Sequence, residues 1–241
     1  MDQTTQNFKL WLEQTKDEPL EAMASFFDDR IDDYEAHMSP WAAHYLWMAE
    51  LLPDGTKALL DLGCGSWLEL DPIFARFPSL EVTGVDLSQR MLEKLRQKHP
   101  DRALTLVCGD YFLTKFQEQH FDAVVSFESL HHFTAAQKTA LFERIYHALR
   151  PGGVYLGCDY IATSPEMEEL AFSECARRRQ RDGFDDQVFV HFDTPLTLEH
   201  EMDAIRAAGF EQVELVGFLP GDDHTPMLRA VRQGTAQQRA L

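Results

Sequence analysis

Five short apolar runs alternate with helical patterns along the chain, and this alternation limits how the chain can fold. The runs span 57–63, 80–87, 104–110, 121–129 and 153–161. Each run is nearly continuously apolar, which is typical of a strand buried on both faces of a parallel sheet. Strands that alternate with helices form such sheets through right-handed crossovers. The pattern therefore predicts an α/β fold with a doubly wound, mostly parallel sheet.

Capping residues mark helix boundaries between the runs. Ser88 is placed to cap one helix, and Thr134 with Gln137 forms a capping box before another. Residues 150–153, RPGG, are predicted to end that second helix and turn into the fifth strand. Thr197 is predicted to cap a further helix.

Two more apolar runs follow, over 211–219 and 225–233, and a turn with Pro220 and Gly221 separates them. Such a spacing predicts a hairpin, because a short turn can join only antiparallel strands. The complete prediction is a Rossmann-like sheet of seven strands, with one antiparallel strand contributed by this C-terminal hairpin.

Two segments interrupt the alternation and are predicted to be helical lid elements. Residues 1–52 combine a helical pattern with a stretch rich in acidic and aromatic residues. Residues 163–193 contain a long helical pattern and a loop. We therefore predict an N-terminal lid segment over 1–52 and a Rossmann-like domain over 53–241 that carries the helical insertion 163–193.

Composition narrows the function classes. The formal net charge is −18, which disfavours nucleic acid as a partner and favours a small neutral or cationic substrate. The chain has four cysteines and no CxxC spacing, so a disulfide framework or a zinc site is not expected. The sequence has no apolar run long enough to span a bilayer, and we predict a cytoplasmic protein that does not bind membranes. Composition leaves the oligomeric state open.

Candidate binding residues follow the predicted strands, since ligands of doubly wound sheets bind at the carboxyl ends of the strands. They are Asp61, Gly63, Cys64 and Gly65 after the first strand, Asp86 and Leu87 after the second, Asp110 and Tyr111 after the third, and Phe127, Glu128, His131 and His132 after the fourth.

These residue types suit a nucleoside. Glycines let the backbone approach a ligand closely. Asp86 lies about 20 residues beyond the glycines, which is the usual spacing of an acid that binds ribose hydroxyls. Asp110 has a carboxylate for an adenine amino group, and Tyr111 has a ring that can lie against the base.

Five segments, in order, resemble the class I S-adenosylmethionine-dependent methyltransferases of the small-molecule branch. They are LLDLGCG, VTGVDLS, LVCGDYF, FDAVVSFESLHHF and LRPGGVYL. The resemblance covers roughly residues 20–232. It implies S-adenosylmethionine as cofactor and direct displacement of its methyl group by an N, O, S or C nucleophile. It also implies that Gly63 and Gly65 contact the methionine part, Asp86 the ribose and Asp110 the adenine amino group.

The glycine loop departs from the family pattern at Trp67, where a third glycine is frequent. Three interpretations stay open: the ring packs under the lid, lines the methyl-transfer pocket, or fills the methionine site of a non-catalytic relative. A dinucleotide oxidoreductase is disfavoured because its fingerprint needs glycine or alanine where this chain has Leu68. Further on, Asp71 is predicted to cap a helix that begins at Pro72.

Candidate catalytic residues are the histidines after the fourth strand. His131 and His132 are the preferred general bases, followed by His37 and Tyr34 on the predicted lid. No carboxylate or cysteine lies at ligand spacing from the histidine pair, so no metal is predicted. Two alternatives remain: a non-catalytic cofactor-binding or interaction protein, and a relative that uses the cofactor for other chemistry.

Overall fold

The protein is described here by a computed structural model, which covers residues 3–32, 37–66, 68–185 and 187–234. Its strands are β1 Ala58–Leu62, β2 Glu81–Asp86, β3 Leu104–Cys108, β4 Phe121–Phe127, β5 Leu149–Cys158, β6 Gln212–Gly217 and β7 Met227–Val231. They form one seven-stranded sheet in the order β3-β2-β1-β4-β5-β7-β6. β7 is antiparallel to both of its neighbours, and the pairs formed by β1 to β5 are parallel. The predicted fold class is therefore confirmed.

Helices surround the sheet. They are α1 Gln3–Gln14, α2 Met23–Arg30, α3 Ala42–Leu51, α4 Leu70–Arg76, α5 Gln89–Lys98, α6 Ala135–Ala148, α7 Pro165–Asp182 and α8 Leu198–Ala207. Ser88 caps α5, and Thr134 with Gln137 forms the capping box of α6. Thr197 caps α8 by accepting the backbone N–H of His200. None of the described helices combines the length and the apolar character needed to cross a membrane.

Two predicted boundaries are wrong. The fifth strand begins at Leu149, which pairs with Phe121 before a register shift brings Val154 opposite Ala123. The segment RPGG is therefore an irregularity inside β5, as in a β-bulge, and not a turn before it.

Helix α4 also begins earlier than predicted, at Leu70, and Glu69 is its N-cap residue without a capping hydrogen bond from its side chain. Pro72 is tolerated in the first turn because the N–H groups there have no partner within the helix. Asp71, predicted as the cap, instead pairs with Lys98, whose Nζ lies 2.5 Å from its carboxylate.

The core has two halves, one on each face of the sheet. Along β1, Leu60 and Leu62 face the half that contains α6 and α8, and Leu59 faces the half that contains α3 and α4. Successive strand residues point to opposite faces. Asp61 therefore points to the same side as Leu59, beneath the loop that joins β1 to α4.

The two predicted lid segments pack on each other above this sheet. Phe8 of α1 packs against Met167 and Ala171 of α7, and Lys9 pairs with Glu166 at 2.6 Å. Further along, Ala22 and Val190 form an antiparallel bridge. Backbone N–H groups of Met23 and His191 donate to Phe189 and Glu21 across it, each at 2.9 Å. Segments 21–23 and 189–191 are thus joined by backbone hydrogen bonds.

Candidate active site

A cleft opens at the carboxyl ends of β1, β2, β3 and β4. Its described lining is Met23, Phe27, Gly63, Gly65, Asp86, Leu87, Met91, Tyr111, Phe127, Glu128, Ser129 and His132. The cleft brings together most of the residues predicted to bind a nucleoside, although they come from four separate strand ends. Met23 and Phe27 belong to α2, which closes the cleft from above.

The glycine loop borders the cleft with a backbone that only glycine adopts readily. Gly63 and Gly65 have φ of +72° and +47°. A Cβ at Gly63 would lie 2.0 Å from the Ser129 Oγ, so the opposite wall of the cleft approaches the bare backbone. The Gly65 N–H donates to Asp86 Oδ2 at 2.9 Å, which ties the loop to the end of β2.

Asp86 is held in place by the backbone. Its Oδ1 accepts the Ser88 N–H at 2.8 Å, and its Oδ2 accepts the Gly65 N–H. Burial raises the pKa of this carboxyl, against the lowering effect of these hydrogen bonds. Each carboxylate oxygen keeps a further lone pair, so Asp86 retains the capacity to accept two vicinal hydroxyl groups.

Tyr111 and Asp110 play different structural parts. The Tyr111 ring lines the cleft, its hydroxyl donates to the Ser129 carbonyl at 3.0 Å, and burial raises its pKa. Asp110 is not among the lining residues, and its Oδ1 accepts the Phe112 N–H at 2.7 Å. The ring is thus in place for a base, whereas contact between Asp110 and an adenine amino group stays a prediction.

Two acids and a thiol lie beneath the glycine loop. Asp61 is 0% exposed, and neither of its carboxylate oxygens has a hydrogen-bond partner among the described residues. Cys64 is equally buried and packs beside Gly84. Burial, with the charge of Asp86, raises the pKa of Asp61 to about 8, and burial also raises the pKa of the neighbouring Glu69. Asp61 and Cys64 therefore support the loop from below and do not line the cleft.

We expect the Asp61 carboxyl to make stability depend on pH. Between an unfolded pKa near 3.9 and a folded pKa of about 8, the folded protein keeps a proton that the unfolded chain has lost. Stability of the cofactor-free protein should therefore fall as pH rises through this window, by up to about 1.4 kcal/mol per pH unit. Denaturant unfolding of the wild type and Asp61→Asn from pH 5 to pH 8 should give a difference that grows with pH. A constant difference would contradict the assignment.

The two histidines predicted as general bases, His131 and His132, are adjacent, but different groups surround each imidazole. His131 Nδ1 lies 2.5 Å from Asp159 Oδ1. Burial lowers the pKa of His131, but Asp159 and Asp193 outweigh burial and hold it well above the usual value. His132 lines the cleft, its Nδ1 lies 3.2 Å from the Phe192 carbonyl oxygen, and burial lowers its pKa to about 3. The neighbouring carboxylates therefore favour the protonated form of His131, whereas burial favours the neutral form of His132.

The other predicted residues are elsewhere. His37 is exposed, its ring centroid is 6.5 Å from that of Trp41, and it does not line the cleft. Tyr34 and Trp67 lie outside the described residues.

Sequence reasoning missed Asp159 and Asp193. Asp159 directly follows β5, so the rule that finds Asp86 also applies to it. Asp193 lies in an irregular segment, where no local pattern marks it.

Comparison with known proteins identifies the central part of the chain. Residues 59–153 match the family model described as a methyltransferase domain. Human N-acetylserotonin methyltransferase, solved in complex with S-adenosylmethionine, superposes with a TM-score of 0.64 at 18% identity, over 93% of this chain and 62% of that one. Residues 59–153 are therefore similar to a methyltransferase domain, and the fold is that of a methyltransferase solved with S-adenosylmethionine. Both findings agree with the sequence resemblance to the class I methyltransferases, which use this cofactor.

Curated relatives of the methyltransferase domain differ in activity. The chain is 24% identical to sterol 24-C-methyltransferase of Kluyveromyces lactis over 172 residues, which are 70% of this chain and 44% of that protein. It is also 24% identical to carboxy-S-adenosyl-L-methionine synthase of Actinobacillus pleuropneumoniae over 209 residues, 81% of this chain and 86% of that protein. The chain covers less than half the length of several relatives. The family alone therefore does not identify the acceptor.

The cleft of the methyltransferase domain fits this cofactor. A Cβ at Gly63 would fill the space beside the loop, and the Asp86 carboxylate lies where hydroxyl groups of a ribose can reach it. The Asp61 carboxyl, which has no hydrogen-bond partner among the described residues, lies beneath the same loop, where the resemblance places the methionine part.

Proposed function

We propose that the protein transfers a methyl group from S-adenosylmethionine to a small-molecule acceptor by direct displacement. The observation that carries the proposal is the cleft itself, in which the glycine loop, Asp86 and Tyr111 come together at the carboxyl ends of the strands. When bound, the cofactor supplies a methyl group on a sulfonium that already activates it. The protein then has to align the acceptor and exclude water.

Asp86 would bind the ribose and keep the cofactor in register with the loop. Both carboxylate oxygens are fixed by backbone N–H groups, so the carboxylate is oriented before a ligand arrives. Tyr111 and Leu87 would hold the base between them, because both line the cleft near the end of β2. Phe127 and Glu128, at the end of β4, would face the reacting end of the cofactor.

The lid would exclude water. Lid helix α2 is attached to α5 by a hydrogen bond from Ser88 Oγ to Asp28 Oδ1 at 2.5 Å and one from Lys94 Nζ to the Ile31 carbonyl at 2.8 Å. Phe27 thereby covers the cleft with an apolar ring. We therefore assign a lid role to the part of 1–52 that contains α2 and to the insertion 163–193, whereas α3 packs in the core.

A second cavity supports a small acceptor with an apolar part. It has a volume of about 310 Å³ and shares His132 with the cofactor cleft. Its remaining walls include the apolar side chains of Phe133, Phe172, Phe189 and Val190, together with the basic side chain of Arg179. An acceptor held there by its apolar part would lie next to the cofactor, and a neutral molecule suits these walls better than a nucleic acid or a charged peptide does.

The similarity to a carboxy-S-adenosyl-L-methionine synthase makes chemistry other than methyl transfer the second candidate. A carboxylate added to the cofactor would need a cationic partner in a buried cleft. The described lining carries the carboxylates of Asp86 and Glu128 and no lysine or arginine. The charge of the cleft therefore favours methyl transfer.

Binding and product analysis test the proposal together. A ligand at a hundred times its dissociation constant stabilises a protein by about 2.7 kcal/mol, so S-adenosylmethionine should raise the melting temperature by several degrees. Incubation with a panel of small acceptors should then yield S-adenosylhomocysteine, detected by mass spectrometry. A product that carries an additional carboxyl group would favour the second candidate. Absence of binding by both melting and calorimetry would reject the enzyme.

A further inference from the structure

Three side chains beside the cleft converge at separations longer than those of ordinary hydrogen bonds. His131 Nε2 lies 3.5 Å from Asp193 Oδ1, and His132 Nδ1 lies 3.4 Å from the same oxygen. One ligand atom from each of the three residues lies within 4.8 Å of the other two. The histidines follow β4 and Asp193 follows α7, so folding brings them together from distant parts of the chain.

These separations match the spacing of ligands around a metal ion. Nitrogen and oxygen ligands at about 2.0–2.2 Å from an ion are about 3.0–3.5 Å from each other when the angles at the ion are 90–110°. An N–H···O hydrogen bond is usually shorter, about 2.7–3.2 Å. The Asp193 oxygen is thus too far from both imidazoles for strong hydrogen bonds and is well placed to share an ion with them.

A second layer of contacts fixes the His131 ring. Its Nδ1 lies 2.5 Å from Asp159 Oδ1, which leaves Nε2 as the nitrogen that faces Asp193. Asp159 is itself held by the backbone N–H groups of Leu130 and Tyr160, at 2.7 and 3.0 Å. A carboxylate that orients a histidine through one nitrogen while the other binds a metal is a recurrent arrangement.

The surrounding charge also suits a cation. Three carboxylates face the histidine pair: Asp159, Asp193 and Glu128, whose Oε2 lies 3.9 Å from His131 Nδ1. The Glu128 Oε1 is buried and has no hydrogen-bond partner among the described residues.

We propose that His131 Nε2, His132 Nδ1 and Asp193 Oδ1 bind one divalent transition-metal ion of the zinc, iron or cobalt type. The ion displaces the proton on His131 Nε2 and the proton that His132 Nδ1 donates to the Phe192 carbonyl, and both protons are released to solvent. Two imidazoles and one carboxylate suit such ions better than magnesium or calcium, which take mainly oxygen ligands. His132 also lines the cleft, so the ion lies at its edge. Metal binding replaces the general-base role that the sequence predicts for the two histidines, and it does not depend on the proposed activity.

Calorimetry on full-length, tag-free protein that has been stripped with a chelator tests the site. Titration with zinc chloride, without cofactor, should show one ion per chain, and titration with cobalt chloride should produce visible d–d absorption. Asp193→Asn should weaken binding about ten-fold or more, since it removes the anionic ligand. The Asp193 side chain is 38% exposed, so this variant should fold. Asp203→Asn, an exposed acid on α8, is the matched control and should bind as the wild type does.

A second cluster of possible metal ligands allows the proposal to be overturned. Asp222, Asp223 and His224 also lie within ligand distance of one another, on the surface. The proposal is overturned if zinc does not bind, if Asp193→Asn binds as tightly as the wild type, or if His224→Asn and not Asp193→Asn removes the binding. Cofactor binding is measured separately by melting, so loss of the proposed methyl transfer would leave this result unaffected.

Discussion

Asp86→Ala should lose most of the affinity for S-adenosylmethionine. Two hydrogen bonds from ribose hydroxyls to a buried carboxylate contribute about 1.5–3 kcal/mol each. Their loss should weaken binding by about a hundred-fold or more. The carboxylate also anchors Gly65 and Ser88, so the glycine loop should lose its orientation together with the ribose contact. Calorimetric titration with S-adenosylhomocysteine measures the change, and the melting shift with S-adenosylmethionine should nearly disappear.

Asp122→Ala is a matched control. Asp122 also accepts two backbone N–H groups, those of Lys57 and Ala58, at 2.9 and 3.0 Å. Asp122 lies near the start of β4, at the end of the strands opposite the cleft, and it does not line the cleft. Both variants should lose comparable stability, but Asp122→Ala should keep the affinity of the wild type. Equal affinity in Asp86→Ala and Asp122→Ala would show that Asp86 serves only the fold.

Glu201→Gln should strongly destabilise the protein. Lys138 on α6 and Glu201 on α8 are 1% and 5% exposed, and Lys138 Nζ lies 2.5 Å from Glu201 Oε2. Removing one charge leaves a buried ammonium without its counter-ion, which costs about 3–5 kcal/mol. In a chain of this size the melting temperature should fall by about 10 °C. Differential scanning calorimetry and urea unfolding measure both quantities.

The double variant Lys138→Met with Glu201→Leu should recover most of that loss, because apolar side chains can replace a buried ion pair at little cost. Asp203→Asn breaks the exposed pair with Arg206 on the same helix and should cost less than about 1 kcal/mol. If Glu201→Gln has the melting temperature of the wild type, the ion pair between Lys138 and Glu201 does not stabilise the fold.

The sheet was predictable because its signals are local. Each of the five parallel strands is an apolar run between helical patterns, and strands that alternate with helices pair in parallel through right-handed crossovers. The N-caps at Ser88 and Thr134 are equally local, since each is a side chain that accepts a backbone N–H three residues ahead. None of these sequence signals depends on a contact between distant segments of the chain.

The site was only half predictable for the opposite reason. Asp86 is found because it ends a strand at a known distance from the glycines. Asp193 approaches His131 only after the insertion has folded back across the sheet, and no spacing in the sequence records that contact. The predicted start of α4 is wrong because the prediction places proline at the first helical position, whereas any position of the first turn accepts it.

The bridge between Ala22 and Val190 has a consequence for cofactor exchange. Two segments far apart in the chain share backbone hydrogen bonds, so neither can swing away alone without breaking them. Under the proposed function, we expect opening to be concerted, with release of spent cofactor requiring both segments to move together. A chimaera that takes one of these segments from a homologue must therefore take the other segment from the same homologue.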